Sequence, residues 1–190
     1  MLPHDGHADY HGPVLDEQQC INYFETLFTD IQWQHDEVIM FGKRHITKRK
    51  TAWYADQPYR YRYSGTTKIA LPWHPVLQQI KHTVETCCRL RFNCCLLNLY
   101  QDGSEAMSWH SDDEPELEKN GTIASLSLGA ERKFSFKHKK TGQLISLVLE
   151  NGSLLVMKES TQQNWLHALP KTAKVLSPRI NLTFRNIVGQ

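Results

Sequence analysis

The chain has 190 residues and a formal net charge of +2, from 22 Lys and Arg against 20 Asp and Glu. With 40% hydrophobic and 22% charged residues, its composition is that of a soluble globular protein, which excludes a disordered or fibrous chain. No apolar run approaches the ~20 residues of a membrane-spanning helix, and the amino terminus lacks the basic start and apolar stretch of a secretory signal, so we expect one domain with no membrane partner.

Two amphipathic helices are predicted in the first half of the chain, after a loose lead-in over residues 1–13. Asp16 stands at an N-cap position, and Gln19 completes a capping box. The apolar residues that follow at helical spacing are Cys20, Phe24, Leu27, Phe28 and Ile31. A second helix begins near Pro75, which suits a first turn. Its apolar face contains Leu77, Ile80, Val84 and Cys87 or Cys88.

From about Phe92 onward, short strand-like runs alternate with turn signals. The runs cover residues 94–100, 122–129, 132–138, 144–150, 153–158 and 179–188. Asn120-Gly121 and Asn151-Gly152, between such runs, favour hairpins. Many short strands with tight turns indicate a sandwich or barrel. We therefore predict an α+β fold, with helices packed against a jelly-roll-like pair of antiparallel sheets.

Five cysteines form no pattern typical of a disulfide framework or a zinc site. Four of them are vicinal, Cys87-Cys88 and Cys94-Cys95, and adjacent cysteines bridge only with strain. We interpret them as free thiols in a reducing compartment, with a redox role as the alternative.

A candidate metal site begins with His110 and Asp112, whose spacing places both side chains on one side of an extended strand. His167 lies well downstream. Two histidines and one carboxylate on one face of an octahedron suit Fe(II), because three positions stay open for a cosubstrate and O2. Since the chain has ten histidines, the H-x-D pattern alone is weak evidence for a metal site. The alternative interpretation of His167 is an ordinary histidine at a loop edge that binds no metal.

The last predicted strand supports this hypothesis. Strand alternation puts Arg179, Asn181, Thr183 and Arg185 on one face. Inside a barrel, two arginines on one face can bind a dicarboxylate, although an ordinary half-solvated strand has the same pattern. Asn98 and Tyr100 share a face of an earlier strand and can line the same cavity. Together these features predict a 2-oxoglutarate site.

The motifs N-x-Y-x-D-G, H-x-D, a distant His and R-x-N-x-T-x-R, in this order, resemble the AlkB family of Fe(II)/2-oxoglutarate nucleic-acid dealkylases. The resemblance implies that His110, Asp112 and His167 bind iron. It implies that Asn98, Tyr100, Asn181, Arg179 and Arg185 bind 2-oxoglutarate, with Arg179 on the distal carboxylate and Arg185 near the iron, among the catalytic residues. It also implies a double-stranded β-helix core over residues 93–190, preceded by helices and a nucleotide-recognition lid over residues 14–92.

Two basic runs, residues 43–50 and 132–140, each contain five Lys or Arg side chains. An aromatic stretch over residues 53–63 lies close in sequence to the first run. Such runs fit a phosphate backbone with stacked bases, while solvated faces and sheet packing are the alternatives.

The resemblance assigns substrate contacts within and beyond these runs. Met40, Phe41 and Gly42 would form the tip of an apolar finger that fills the gap left by a flipped base. Arg49 and Tyr61 would contact DNA, and Tyr63 would stack on the base opposite His110. Asp113 and Glu114 would accept hydrogen bonds from the base. The alternative for Phe41 is a buried aromatic residue of an ordinary hairpin. The alternative for Asp113 and Glu114 is a solvated acidic loop.

The resemblance thus implies a monomeric enzyme that removes methyl groups from 1-methyladenine and 3-methylcytosine in DNA, releasing formaldehyde while 2-oxoglutarate and O2 yield succinate and CO2. Duplex DNA with a flipped base is the expected partner, and single-stranded DNA or RNA is possible. An RNA or protein demethylase and a non-catalytic nucleic-acid-binding jelly roll remain alternatives. We expect a bacterial cytoplasmic location, or a nuclear one in a eukaryote.

Overall fold

The computed structural model describes residues 1–40, 43–63 and 66–188, and it describes side chains in these ranges except at residues 36–45 and 61–68. The helices are α1 (Glu17–Asp30), α2 (Pro75–Cys88) and the short α3 (Thr161–Asn164). The first strands are β1 (His7–Pro13), β2 (Gln34–Met40), β3 (Lys43–Ala55), β4 (Arg60–Tyr63), β5 (Thr66–Ile69), β6 (Leu71–Pro72) and β7 (Cys94–Tyr100). The later strands are β8 (Met107–His110), β9 (Ile123–Gly129), β10 (Arg132–His138), β11 (Leu144–Leu149), β12 (Ser153–Lys158), β13 (Trp165–Leu169) and β14 (Arg179–Arg185).

Two antiparallel sheets form the core of the fold. The larger sheet has the order β1-β12-β9-β14-β7-β3-β2, and β6 pairs with β3 in parallel. The smaller sheet has the order β11-β10-β13-β8, and β4 and β5 form a separate pair. Successive strands from β8 to β14 alternate between the two sheets except at the β10–β11 hairpin. This crossing pattern is that of the predicted double-stranded β-helix.

Helices α1 and α2 cover the outer face of the larger sheet. In α1, the Asp16 carboxylate accepts the backbone N–H of Gln19 at 2.8 Å, and the Gln19 side chain accepts the backbone N–H of Asp16 at 3.0 Å. The predicted capping box is therefore confirmed. Leu27 and, from α2, Leu77 and Ile80 are fully buried against the sheet. Phe28 differs from the expectation and is 40% exposed, because α1 buries only part of its predicted face.

Strand β14 divides its side chains between the two sides of the larger sheet. Ile180, Leu182 and Phe184 are fully buried in the core beneath the helices. The alternate residues face a cavity between the sheets. Register then brings the predicted cosubstrate residues together, because Arg179 is paired with Tyr100, and Asn181 with Asn98.

Two predictions from turn and composition signals are wrong. Residues 7–13 of the predicted loose lead-in form β1, which pairs with β12, because a tertiary partner supplies the backbone hydrogen bonds that local sequence does not indicate. Neither Asn-Gly pair closes a hairpin, since the strands that flank each of them belong to different sheets. Gly152 instead has φ of +74°, and a Cβ there would lie 2.6 Å from the Cys20 sulfur.

The five cysteines are free, and three of them, Cys20, Cys94 and Cys95, are buried. Burial raises the pKa of Cys88 and of Cys94 to about 11, so both thiols stay protonated at neutral pH. Protonated thiols are poor nucleophiles, which fits the interpretation as structural thiols.

No helix among the described residues is long and apolar enough to cross a bilayer.

Candidate metal and cosubstrate site

Two neighbouring strands, β8 and β13, bring the predicted metal ligands together. His110 ends β8 and is paired in register with His167 on β13, so the two imidazole centroids lie 4.2 Å apart. Asp112 follows β8, where its backbone N–H donates to Gln162 Oε1 at 3.0 Å. Its Oδ1 lies 3.6 Å from His110 Nε2 and 4.0 Å from His167 Nε2. The three ligand atoms thus converge on a single point between them.

Protonation of these groups suits metal binding. His110 Nδ1 donates to the carbonyl oxygen of Ser108 at 2.8 Å, which leaves the Nε2 lone pair available for a metal. Burial, with a contribution from His110, lowers the pKa of His167 to about 3, so that its imidazole is neutral. Burial opposes ionisation of Asp112, but Arg185 and the two histidines outweigh it and lower the pKa of Asp112.

Arg185 orients the carboxylate of this triad. Its guanidinium donates to Asp112 Oδ2 at 3.0 Å, and both side chains are more than nine-tenths buried. The other oxygen, Oδ1, then faces the two histidines. A charge-assisted hydrogen bond of this kind fixes the orientation of a ligating carboxylate. Arg185 therefore lies at the end of the cavity that contains the three candidate metal ligands.

The cavity between the sheets continues from the metal triad to Arg179. Its polar wall comes from β7 and β14, and its apolar wall comes from both sheets. Asn181 donates to Ser125 Oγ at 2.8 Å and to the carbonyl oxygen of Leu126 at 3.1 Å, and Thr183 Oγ1 donates to Asn181 Oδ1 at 3.1 Å. Asn98 Oδ1 accepts a hydrogen bond from Arg49. The lining also includes Leu96, Tyr100, Met107, Phe134, Met157 and Leu169.

Arg179 closes the far end of the cavity. It is 2% exposed, donates to Ser127 Oγ at 2.9 Å and lies 5.6 Å from the centroid of the Tyr100 ring. Burial lowers its pKa to about 10, so the guanidinium stays charged at neutral pH. Its Nε has no hydrogen-bond partner among the described residues. A buried cation with an unused donor fits one carboxylate of a dicarboxylic acid whose other end reaches the metal.

The residues present therefore fit both groups. Two histidines and one carboxylate are a donor set for Fe(II), and the cavity that joins them to Arg179 has the charge pattern that 2-oxoglutarate needs. A second group of potential ligands, His4, Asp5 and His138, does not fit a metal as well. His138 Nδ1 accepts the backbone N–H of Thr141 at 3.0 Å, which places the ring proton on Nε2, the atom nearest Asp5.

The predicted substrate residues lie around this site to different extents. Asp113 is exposed, 3.8 Å from Lys139 Nζ, and Glu114 lines a cleft of about 340 Å³ that reaches Asp112 and Arg185. Arg49 is buried beside Asn98, not exposed on the surface as a phosphate contact requires. Phe41 and Gly42 lie outside the described residues, and the side chains of Met40, Tyr61 and Tyr63 are not among those described.

The sequence interpretation also missed Arg132, which it counted in the second basic run. The structure buries it at 2% exposure beside Tyr100. Strand parity already contained this signal, because Arg132 has the same parity as the inward-facing Phe134 and Phe136. Because Arg132 stands next to several other cations, it was grouped with them as a surface charge.

Comparisons with known proteins agree with this geometry. A family model described as the 2OG-Fe(II) oxygenase superfamily matches residues 9–185. The mouse protein named DNA oxidative demethylase ALKBH2 is 39% identical over 179 residues, covering 90% of this chain and 72% of the relative. The human protein of the same name is 43% identical over 159 residues, covering 80% of this chain and 61% of the relative.

A third relative carries a different name. The bovine alpha-ketoglutarate-dependent dioxygenase alkB homolog 3 is 37% identical over 183 residues, covering 91% of this chain and 63% of the relative. The solved structure of OsALKBH1 matches with a TM-score of 0.65 at 15% identity, over 97% of this chain and 99% of that chain, and this likeness supports the fold. The chain therefore belongs to the AlkB family within the 2OG-Fe(II) oxygenase superfamily, whose members are dioxygenases that use Fe(II), 2-oxoglutarate and O2.

Proposed function

We propose that this protein is a DNA repair dioxygenase that oxidatively demethylates alkylated bases. The observation that carries the proposal is the convergence of His110, Asp112 and His167 at one end of a cavity that ends at the buried Arg179. The names of the mouse and human relatives, DNA oxidative demethylase, support DNA as the substrate. The location of action would be chromosomal DNA, in a nucleoid or a nucleus.

Each site residue has a role in this proposal. His110 Nε2, Asp112 Oδ1 and His167 Nε2 would hold Fe(II), which when bound supplies O2 activation for oxidation of the N-methyl carbon. Arg179 would bind the distal carboxylate of 2-oxoglutarate, and Asn98, Tyr100 and Asn181 would line its path to the metal. Arg185 would keep the Asp112 carboxylate oriented through the 3.0 Å contact. One oxygen atom of O2 would hydroxylate the N-methyl carbon and the other would enter succinate as 2-oxoglutarate loses CO2. The resulting hydroxymethyl group would leave as formaldehyde and restore the base.

Substrate recognition would use the surface around the metal end of the cavity. In addition to that surface, the exposed Lys133 and Lys137, on the outer face of the smaller sheet, fit a phosphate backbone. Glu114, in the cleft beside Asp112, would accept a hydrogen bond from an exocyclic amine, and 1-methyladenine and 3-methylcytosine both carry one. Their methyl groups block Watson–Crick pairing, so such bases cost less free energy to flip out of a duplex. Met40, Phe41 and Gly42 would fill the gap left by the flipped base, and Tyr63 would stack on the base opposite His110.

Removal of the finger tip tests the choice of duplex DNA. Initial rates are measured for wild type and Phe41→Ala on the same 1-methyladenine oligonucleotide, alone and annealed to its complement. We expect the duplex rate to fall about tenfold or more and the single-strand rate to change less than about twofold, since unstacking costs a few kcal/mol only in the duplex. Equal losses on both substrates would contradict a wedge role. A methylated RNA of the same sequence forms the third arm, and a faster rate on it than on either DNA would overturn DNA as the substrate.

Metal and cosubstrate binding separate an enzyme from a non-catalytic jelly roll. Addition of Fe(II) and 2-oxoglutarate under anaerobic conditions is expected to give a visible charge-transfer band. His82→Ala, at an exposed histidine on α2, serves as the control and should keep the band, whereas His110→Ala should lose it. Absence of the band in the wild-type protein would exclude the proposed chemistry.

A further inference from the structure

Arg132 is a buried cation that the proposed reaction has not used. It begins β10 and is 2% exposed. Its guanidinium donates to the carbonyl oxygens of Glu105 at 2.8 Å and Pro170 at 2.9 Å. Longer contacts reach the carbonyl oxygens of Asp102 at 3.2 Å and Gly103 at 3.5 Å. One side chain thus joins two backbone segments that are far apart in sequence.

Each of these segments leads directly to a residue of the proposed cosubstrate pocket. The turn over residues 101–105 follows Tyr100, and the segment over residues 170–178 precedes Arg179. The two segments also bind each other, since the Gly103 N–H donates to Val175 O at 2.8 Å and the Thr172 N–H donates to Gly103 O at 2.9 Å. Tyr100 and Arg179 are themselves register partners between β7 and β14. Arg132 is therefore placed to fix both of them at once.

The electrostatics of this corner also point to an anionic ligand. Arg132 lies 5.9 Å and Arg179 5.6 Å from the centroid of the Tyr100 ring. Neither guanidinium forms an ion pair with a carboxylate among the described residues, and the Nε atoms of both are buried without a hydrogen-bond partner there. The carboxylates of Asp102 and Glu105 offset part of the Arg132 charge from a distance, but no carboxylate of the described residues acts in this way on the buried Arg179. Two buried guanidinium groups beside one ring, neither of them in an ion pair with a described carboxylate, favour the binding of a negatively charged group. That group would be the distal carboxylate, next to Arg179.

We propose that Arg132 is a positioning residue for 2-oxoglutarate, which holds Tyr100 and Arg179 in place for the distal carboxylate and adds its positive charge to that of Arg179. The proposal rests on the cosubstrate pocket assigned above. Under this proposal, Arg132 affects only the binding of the distal carboxylate, at the end of the cosubstrate away from the metal. Binding of the other end of the cosubstrate, beside His110, Asp112 and His167, should not depend on Arg132.

A pair of 2-oxo acids tests this separation. 2-Oxobutyrate keeps the metal-chelating end of 2-oxoglutarate and lacks the distal carboxylate. Dissociation constants of both acids are measured by calorimetry on Mn(II)-loaded wild type and Arg132→Gln. We expect the Kd of 2-oxoglutarate to rise about tenfold, the scale of one charge-assisted contact, and that of 2-oxobutyrate to change less than about twofold. Arg89→Gln, the same change at an exposed arginine that follows α2, should leave both constants unaltered.

Steady-state kinetics give a second readout. For Arg132→Gln, KM for 2-oxoglutarate should rise by the same factor, with kcat and the KM for methylated DNA within about twofold of wild type. Arg132→Lys keeps the charge but not the fork of donors, so it should fall between the two proteins, and it replaces Arg132→Gln if that variant does not fold. An equal loss for both 2-oxo acids, or no loss for either, would overturn the positioning role. Failure of wild type to bind 2-oxoglutarate would instead overturn the proposed function.

Discussion

Asp112 combines two interactions through its two oxygens. Oδ2 accepts a hydrogen bond from Arg185 at 3.0 Å, and Oδ1 faces His110 Nε2 at 3.6 Å and His167 Nε2 at 4.0 Å. The arginine fixes the carboxylate on the side away from the histidines. The free oxygen is therefore held where a metal between the three groups would bind it.

Loss of this carboxylate should remove metal binding. We expect Asp112→Ala to weaken Fe(II) or Mn(II) binding at least about 100-fold and to bring turnover below detection, because an Fe(II) facial triad has one anionic ligand. Metal titration and demethylation assays measure the two effects. Asp30→Ala, at an exposed aspartate that ends α1, is the matched control and should behave as wild type. Retained iron-dependent turnover in Asp112→Ala would contradict the assignment.

Strand alternation predicted correctly which residues of β14 face the cavity, whereas runs of adjacent charges led to wrong predictions at two arginines. The parity of β14 correctly separated Arg179 and Arg185 from Ile180, Leu182 and Phe184. Arg49 and Arg132 were both counted as surface charges because each lies in a run of Lys and Arg. Both are buried, since the carbonyl and amide oxygens that receive their N–H groups come from distant segments that no local pattern reveals.

At the scale of elements, the turn after β7 matters through its packing. Its D-G dipeptide predicts a turn, yet Gly103 is required by a close approach. A Cβ at this residue would lie 2.2 Å from the carbonyl oxygen of Thr172 and 2.9 Å from that of Val175. Both contacts are to backbone, so no side chain can move away to relieve them. The glycine therefore keeps the turn and the segment before β14 in contact.

A methyl group added at residue 103 should push the turn after β7 and the segment before β14 apart. We expect Gly103→Ala to lower the free energy of unfolding by ~1–3 kcal/mol, the usual cost of overpacking. Urea denaturation measures the change, and Ser104→Ala, at the exposed neighbouring residue, should stay within about 0.5 kcal/mol of wild type. Unchanged stability in Gly103→Ala would mean that the two segments tolerate separation.

Elements with a local signal were predicted well, and elements that depend on a distant partner were not. The capping box of α1 and the proline of α2 marked both helix starts correctly. Strand β1 has a composition typical of a loop and becomes a strand only because β12 offers an unpaired edge. The two Asn-Gly pairs join strands of different sheets, and turn propensity contains no information about which sheet a strand enters.

At the scale of the whole molecule, the net charge of +2 conceals an uneven distribution. The candidate metal ligands and the acidic residues after Asp112 lie in one region, while exposed lysines occur along β10. Lys133 and Lys137 have the parity opposite to the buried Phe134 and Phe136, so they lie on the outer face of the smaller sheet. This separation of charge, and not its total, is what fits a polyanionic substrate.

Salt dependence measures the contribution of that face. Each phosphate contact that is lost should reduce the slope of log Kd against log salt concentration by about 1. We therefore expect the double variant Lys133→Gln/Lys137→Gln to lower the slope for duplex DNA by about 2 without altering 2-oxoglutarate affinity. Lys171→Gln/Lys174→Gln changes the charge equally outside both basic runs. An equal decrease in that control, or none in the β10 variant, would show that β10 does not contact phosphate.

Mass spectrometry of a methylated oligonucleotide tests the central claim most directly. A 1-methyladenine oligonucleotide is incubated with the protein, Fe(II), 2-oxoglutarate and ascorbate in air. We expect that one methyl group is replaced by hydrogen, that formaldehyde and succinate appear in equal amounts with the repaired base, and that His110→Ala produces none of them. A wild-type protein that binds Fe(II) and 2-oxoglutarate but leaves the methyl group on 1-methyladenine and on 3-methylcytosine would contradict it.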